Sequence, residues 1–298
     1  MSPEAIKAIL TKIRSYEIRI RKAVNSQLRG SFSSIFKGTG LEFDDVRAYQ
    51  YGDDVRRIDW HVSAKGDETF VKVFKEEKEQ TVFFLLDVSQ SQNIGEASRS
   101  NKLFVGKEIC SVLALSAVKE ASEVGLICFS DQKEKYVKPD KGMKKAYEIM
   151  LQLFHLEASS PRTNLDAFIR YALYLIKRRS IVILVSDFMD EGYEESLKSL
   201  SRKHDLIIIH LVHPQETQIP RLGLIPVQDK ENGTTYWVNT SSAAFQQRFK
   251  QRLTQGWDKL ENLAMKLKAN YLRIRTDRDF VPQLVKLFKI RNREAKMR

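Results

Sequence analysis

From residue 81 onward the chain alternates between short continuous apolar runs and longer segments with helical spacing. The runs at 82–86, 124–130, 181–186 and 206–212 have strand length and carry no polar alternation. That is the pattern of strands buried on both faces of a parallel sheet. Between and after them lie segments that read as helices at 102–121, 142–156, 164–177, 191–203, 242–268 and 279–290. A further strand is expected at 271–274, a short edge strand at 134–138 and an extra strand at 234–238. Strands alternating with helices imply right-handed crossovers. The predicted fold class is α/β, with a mostly parallel central sheet flanked by helices in a Rossmann-like arrangement over residues 79–290.

The first 78 residues follow another pattern and predict a small N-terminal helix-plus-strand subdomain. Ile6, Ile9, Leu10, Ile13, Ile20, Val24 and Leu28 recur at helical spacing, with Lys and Arg on the other faces and Gly30 as a stop. Three readings compete for this amphipathic helix: docking on its own protein, contact with an anionic membrane surface, and binding to a partner. Residues 31–68 are rich in Gly, Ser, Asp and aromatics, with turn signals at 38–40, 52–54 and 65–67. Residues 69–74 alternate as a strand.

Composition narrows the function classes. Hydrophobic residues make up 42% of the 298, enough for a real core. No apolar run approaches the roughly 18–20 residues of a membrane-spanning helix. The N-terminus lacks a basic-then-apolar leader pattern, so the expected location is cytoplasmic. Cys110 and Cys128 each sit in an apolar run and read as small buried hydrophobes. The net charge of +12 invites a nucleic-acid reading. Residues 1–30 account for +5 of it and residues 286–298 for another +5, leaving +2 on the body. The excess belongs to the two ends, with 291–298 as a basic tail, and no nucleic acid is expected as a partner.

Two buried strands end in an aspartate, Asp87 after the first and Asp187 after the run 181–186. Ligands of open α/β sheets bind beyond the carboxyl ends of the strands. Two carboxylates meeting there repel each other unless a cation or a shared proton intervenes. The loop after Asp87 carries hydroxyls at alternate positions, Ser89 and Ser91, which an extended chain turns toward one point. Thr163, in a polar loop between two helices, offers another oxygen. Hard oxygen donors of this kind suit a divalent cation.

Asp87-Val88-Ser89-Gln90-Ser91 resembles the D-x-S-x-S motif of von Willebrand factor A domains. Thr163-Asn164-Leu165 is similar to that family's threonine loop, and Ser186-Asp187 to its last aspartate. The resemblance implies a von Willebrand factor A-like fold. It also implies a metal-ion-dependent adhesion site made of Asp87, Ser89, Ser91, Thr163 and Asp187, holding Mg²⁺, or Mn²⁺ or Ca²⁺ in its place. Gln92 stands where many members have Met, a change expected to alter packing rather than a ligand. Upstream, Glu42-Phe43, then Arg47 and Tyr49, then Gly52-Asp53-Asp54-Val55-Arg56-Arg57-Ile58-Asp59-Trp60 follow Gly38-Thr39-Gly40-Leu41. Together these resemble the signature of the family called domain of unknown function 58. Ala64-Lys65 departs mildly from its usual Ala-Arg. That family is encoded in many bacteria beside MoxR-type AAA+ ATPases, which implies such an ATPase, or its client, as partner in protein assembly or maturation.

The expected function is a non-enzymatic, metal-dependent protein-binding module that reads an acidic side chain of its partner. A phosphatase-like hydrolase using Asp87 is the enzymatic alternative. It lacks the second aspartate that haloacid-dehalogenase-type enzymes carry two residues after the nucleophile, where Ser89 stands. No phosphate-binding G-x-x-x-x-G-K-[ST] loop occurs. His210 and His213, three apart near a strand end, need not share a face and are not expected to be a metal pair. The signature residues 52–60 are expected to form a buried or half-buried ion-pair network, with a partner-contact surface as the competing reading.

Overall fold

The computed structural model describes residues 3–25, 42–64, 68–75, 80–93, 101–217, 220–228 and 233–296. Gly30, the Gly38–Leu41 block, Leu28, Lys65 and the turn at 65–67 lie outside them.

A six-stranded sheet is built from β3 (Thr81–Asp87), β4 (Glu123–Phe129), β5 (Lys133–Asp140), β6 (Ile181–Ser186), β7 (Asp205–Val212) and β10 (Asn270–Arg275). Its order is β10-β7-β6-β3-β4-β5, parallel throughout except for β5, which runs antiparallel to β4 at one edge. The apolar runs therefore became central parallel strands, as their lack of alternation requires. Val82, Phe84 and Leu86 of β3 face one helical layer, and Phe83 and Leu85 face the other.

Helices α3 (Lys102–Lys119), α4 (Gly142–His155) and α9 (Val281–Lys296) cover the first face, and α5 (Leu165–Leu175), α6 (Glu194–Lys203) and α8 (Ala243–Lys266) the second. Helix α3 is apolar nearly all round and correspondingly buried. Gly106 lets it lie close on the sheet, since a Cβ there would stand 3.0 Å from Leu86 Cδ1 and 3.2 Å from Leu211 Cδ1. Among the described residues no helix is long and apolar enough to cross a membrane.

The basic N-terminal helix is α1 (Pro3–Asn25), docked on α3 and α9. Ile13 is fully buried in the core, which contributes about 2 kcal/mol. Lys12 pairs with the buried Glu108 at 2.7 Å, and Lys119 of α3 pairs with Glu17 at 2.7 Å. Of the three readings of this helix, docking on its own protein is the one the packing displays. Its basic residues are in part structural, because Glu108 would otherwise be a buried lone charge.

Several boundaries differ from the sequence pattern. Helix α6 starts at Glu194, leaving 187–193 as a loop. Helix α9 continues to Lys296, so 291–296 are helix where a tail was expected, with Arg291 bound to Asp205 at 2.6 Å. The strand expected at 234–238 is β9 (Thr235–Asn239), which pairs with β8 (Leu224–Gln228) as a separate antiparallel hairpin. Pro226 obscured β8 in the sequence, because proline cannot donate to a ladder. The one-turn helix α7 (Pro214–Thr217), unforeseen, follows β7 directly.

Candidate metal centre

Strand order reverses at β3, since β4 lies on one side of it and β6 on the other. The chain ends of β3 and β6 thus open a crevice at the carboxyl edge of the sheet, where α/β ligand sites form. Asp87 is the last residue of β3, and Asp187 follows β6 directly. Both are buried.

The turn after β3 folds back on Asp87. Ser89 N–H donates to Asp87 Oδ1 at 3.0 Å, an Asx-type turn that leads into the 3-10 turn Gln90–Asn93. Ser186 Oγ donates to Asp87 Oδ2 at 2.8 Å, tying the ends of β3 and β6 together. The Ser89 and Ser91 hydroxyls are hydrogen-bonded to each other at 3.0 Å. Burial, and then the neighbouring charge of Asp187, push the Asp87 carboxyl up to about 6, against the opposing donors from Ser89 and Ser186. Phe188 takes a left-handed φ of 52°, uncommon for a residue with a Cβ. This reverses the chain so that Met189 N–H returns to Asp187 Oδ1 at 3.2 Å.

Thr163 is half-buried in the loop between α4 and α5. That loop is fixed to both neighbouring strand ends: Gln90 N–H donates to the Pro161 carbonyl at 3.0 Å, and Asn164 N–H to the Ser130 carbonyl at 3.2 Å. Asn164 also caps α5 by accepting from Ala167 N–H at 2.8 Å.

Three participants were not foreseen. Lys102, the first residue of α3, is fully buried, and its ammonium bonds both Asp187 Oδ2 and Glu216 Oε1. Burial alone would lower its pKa, but the two carboxylates reverse this and raise it above the usual lysine value. Glu216 sits on α7 and is anchored by His213 N–H, which donates to Oε2 at 2.9 Å. The third is Gln92. It was expected to affect only packing, yet its side-chain amide donates to Asp87 Oδ2 at 3.2 Å. The available signal for Lys102 was a lysine opening a mostly apolar helix, a weak one because Lys107, Glu108 and Lys119 lie on the same helix. For Glu216 it was a carboxylate four residues past the end of a buried strand. His210 Nδ1 lies 2.8 Å from the Tyr271 hydroxyl, and burial lowers its pKa to about 3, so the ring is neutral. His213 Nδ1 accepts from Gln215 N–H at 3.2 Å, so the two histidines face different partners.

Among the described residues no three His, Cys, Asp or Glu side chains converge on one ion position. A cation here would rest on hydroxyls as much as on carboxylates. The donor set fits such an ion in two respects. Ligands at right angles around an ion with ~2.1 Å bonds stand roughly 3.0 Å apart, the separation of the two serine oxygens. Asp87, Asp187 and Glu216 against Lys102 also leave a buried excess of two negative charges when all are ionised. Beside the crevice, a groove of about 910 Å³ opens between the 187–194 loop and α8, lined by Phe188, Tyr193, His210, Trp257 and Leu260 among others.

The signature residues form a surface motif. β1 (Glu42–Ala48) pairs antiparallel with β2 (Phe70–Lys75), with Glu42 opposite Lys75 and Phe43 opposite Phe74. Tyr49 N–H continues the pairing to the Thr69 carbonyl at 2.7 Å. Arg47 grips Asp53 through two bonds of 2.8 and 2.7 Å. Gly52 supplies a φ of 105° in the turn that allows it. Asp54 caps the 3-10 turn Val55–Arg57, and Asp59 caps α2 (Trp60–Ser63). The ion pairs of the motif are half-buried at most, with the Asp53 and Asp59 carboxylates partly covered and their cationic partners more open to solvent. Arg47 and Arg57 are exposed, Trp60 is 67% exposed, and Tyr51 and Val55 also face solvent. The motif's short strands, joined by caps and turns, leave too little interior to hide these side chains.

A family model described as "Protein of unknown function DUF58" matches residues 45–257. The uncharacterized protein Mb1516 of Mycobacterium bovis is 23% identical over 287 residues, covering 95% of this chain and 90% of its own. Similar solved structures include the conserved hypothetical protein BatB from Bacteroides thetaiotaomicron, at 16% identity and a TM-score of 0.43, covering 72% of this chain and 99% of that one. The VWA domain of SpRpn10 has 14% identity and a TM-score of 0.34, covering 70% of this chain and 94% of that one.

Proposed function

This chain belongs to the DUF58 family of proteins of unknown function, and we propose that it is a protein-binding module whose crevice takes a divalent cation. The observation that carries the reading is the pair of serine hydroxyls, 3.0 Å apart, beside two buried carboxylates at the point where strand order reverses. Ser89 and Ser91 would hold the ion, Asp87 and Asp187 would balance its charge, and Thr163 would close the site from the α4–α5 loop. Bound there, the cation supplies an open coordination position for a carboxylate of a partner, with Mg²⁺ as the ion and Mn²⁺ or Ca²⁺ as substitutes. The non-enzymatic reading is favoured by Asp87 itself. Both of its oxygens accept hydrogen bonds from the protein, which suits a fixed charge better than a nucleophile. The sequence resemblance supplies the partner class, a MoxR-type AAA+ ATPase or its client, working in protein assembly or maturation.

Calorimetry with Mg²⁺ and Mn²⁺ tests the site. Binding should be weak, on the order of 10⁻⁴–10⁻³ M, because neutral hydroxyls contribute little charge. Ser91→Ala should abolish it and leave the fold intact. Surface capture of the purified ATPase should then require the ion and fail in EDTA or with Thr163→Ala. Capture that tolerates EDTA but weakens with salt would place the contact on the basic helices instead.

A further inference from the structure

We propose that Lys102 and Glu216, outside the five-residue motif, set the charge of this crevice. The Lys102 ammonium is a resident cation that keeps the metal-free site folded and holds its affinity for a divalent ion weak, and Glu216 fixes that ammonium in place. The inference rests on the metal-binding reading above and adds what controls that binding.

The geometry is specific. Lys102 has no contact with solvent and reaches its position because Asn101 caps α3, accepting from Phe104 N–H at 2.7 Å, and Gly106 lets the helix press on the sheet. Each acid has one oxygen on a backbone N–H and the other on the ammonium. For Asp187 these are Met189 N–H and Lys102, and for Glu216 they are His213 N–H and Lys102. Neither carboxylate can swing away without stranding a buried donor. Asp187 therefore already has a positive partner on one oxygen before any ion arrives. An isolated buried lysine would be far too costly to keep, so the cluster is stable only as a unit.

The charge count makes this testable. With all groups ionised, three carboxylates and one ammonium leave −2, which one divalent ion cancels. Lys102→Met makes the cluster −3, Glu216→Gln makes it −1, and the double variant returns it to −2. One unit of charge acting on a divalent ion within about 10 Å in a partly buried site changes affinity by at least about tenfold.

The experiment measures Mn²⁺ binding by the electron paramagnetic resonance of the free ion, and thermal melting in EDTA and in millimolar Mn²⁺, on full-length protein. Glu216→Gln should bind Mn²⁺ at least about tenfold more weakly than wild type. Lys102→Met should bind it at least about tenfold more tightly, melt well below wild type in EDTA, and recover in Mn²⁺. Wild type should melt at nearly the same temperature in both. If Lys102→Met fails to fold in EDTA, refolding it with and without Mn²⁺ gives the same readout, and the double variant should fold in EDTA. Wild type that binds Mn²⁺ while Lys102→Met binds it equally would overturn this inference alone. Wild type that ignores Mn²⁺ while Lys102→Met acquires it would overturn the native metal site and sustain the charge-setting role. A Lys102→Met defect rescued neither by Mn²⁺ nor by the second substitution would make Lys102 a packing residue and end the proposal.

Discussion

At the sheet edge, Lys102 is held between Asp187 and Glu216 away from water, while in the β1–β2 hairpin Arg47 grips Asp53 and Lys72 lies 3.6 Å from Asp59 at the surface. The residue types are nearly the same, but the surroundings differ. In the crevice each charge has lost its hydration and depends on its partners, so removing one leaves the others uncompensated. In the hairpin, solvent reaches both ion pairs and screens them, and Arg47 serves mainly to fix the geometry of the turn. Asp53 shows this in miniature: the Arg47 guanidinium and then the Gln50 N–H hold its carboxyl below the usual range. A motif rich in charges can thus be an energetic keystone or a shaped surface, and burial decides which.

The largest expected effect is in the crevice. Lys102→Met leaves the buried Asp187 and Glu216 carboxylates without their cation and should destabilise the protein by ~3–5 kcal/mol in urea unfolding with EDTA present. An unchanged urea midpoint would erase the contrast between the two clusters.

Next comes acid sensitivity, which should arise from the body. His204, buried between α6 and β7 with neither ring nitrogen hydrogen-bonded, has its pKa lowered to about 4 by burial and then by Lys203 and Arg179. The unfolded chain takes up this proton below about 6.5, whereas the folded protein does not until about 4. Stability from this residue is full above pH ~6.5 and is lost as pH falls toward 4, by roughly 2 kcal/mol after allowing for solvent screening. His204→Leu should flatten that part of the stability profile. If the slope between pH 6.5 and 4 persists in the variant, its source lies elsewhere, the hairpin carboxylates included.

The smallest effect is expected for Arg47→Ala. The global melt should not move, while amide hydrogen exchange should quicken at the Gln50 and Asp53 amides that the turn orders. A lowered global melt would show that the hairpin network supports the body and would break the comparison from the other side.

How much was legible beforehand follows from distance along the chain. The sheet strands could be read because a strand buried on both faces must be apolar at every position, as 82–86 and 181–186 are. Asp87, Ser89 and Ser91 could be grouped because they lie in one short segment, although that segment is an Asx-type and 3-10 turn rather than the extended chain expected. Lys102 and Glu216 could not be paired, since they are separated by 114 residues and meet only where α3 and α7 come together. The hairpin's degree of burial was left open between a half-buried network and a contact surface for a related reason. Its charges and aromatic residues look the same in sequence whether they are covered or exposed, and among the described residues no layer covers Trp60.

By itself, the sequence determined the α/β alternation, the placement of two aspartates at strand ends, the amphipathic N-terminal helix and the concentration of charge at the two ends. Each follows from local chemistry: apolar periodicity, strand termination and the composition of one segment. Tertiary structure decided the strand order that brings Asp87 beside Asp187, the docking of α1 that uses Lys12 to neutralise Glu108, and the burial of Lys102 among carboxylates. These depend on contacts between distant segments and on the exclusion of water, and the same side chains take opposite energetic roles according to how that packing falls.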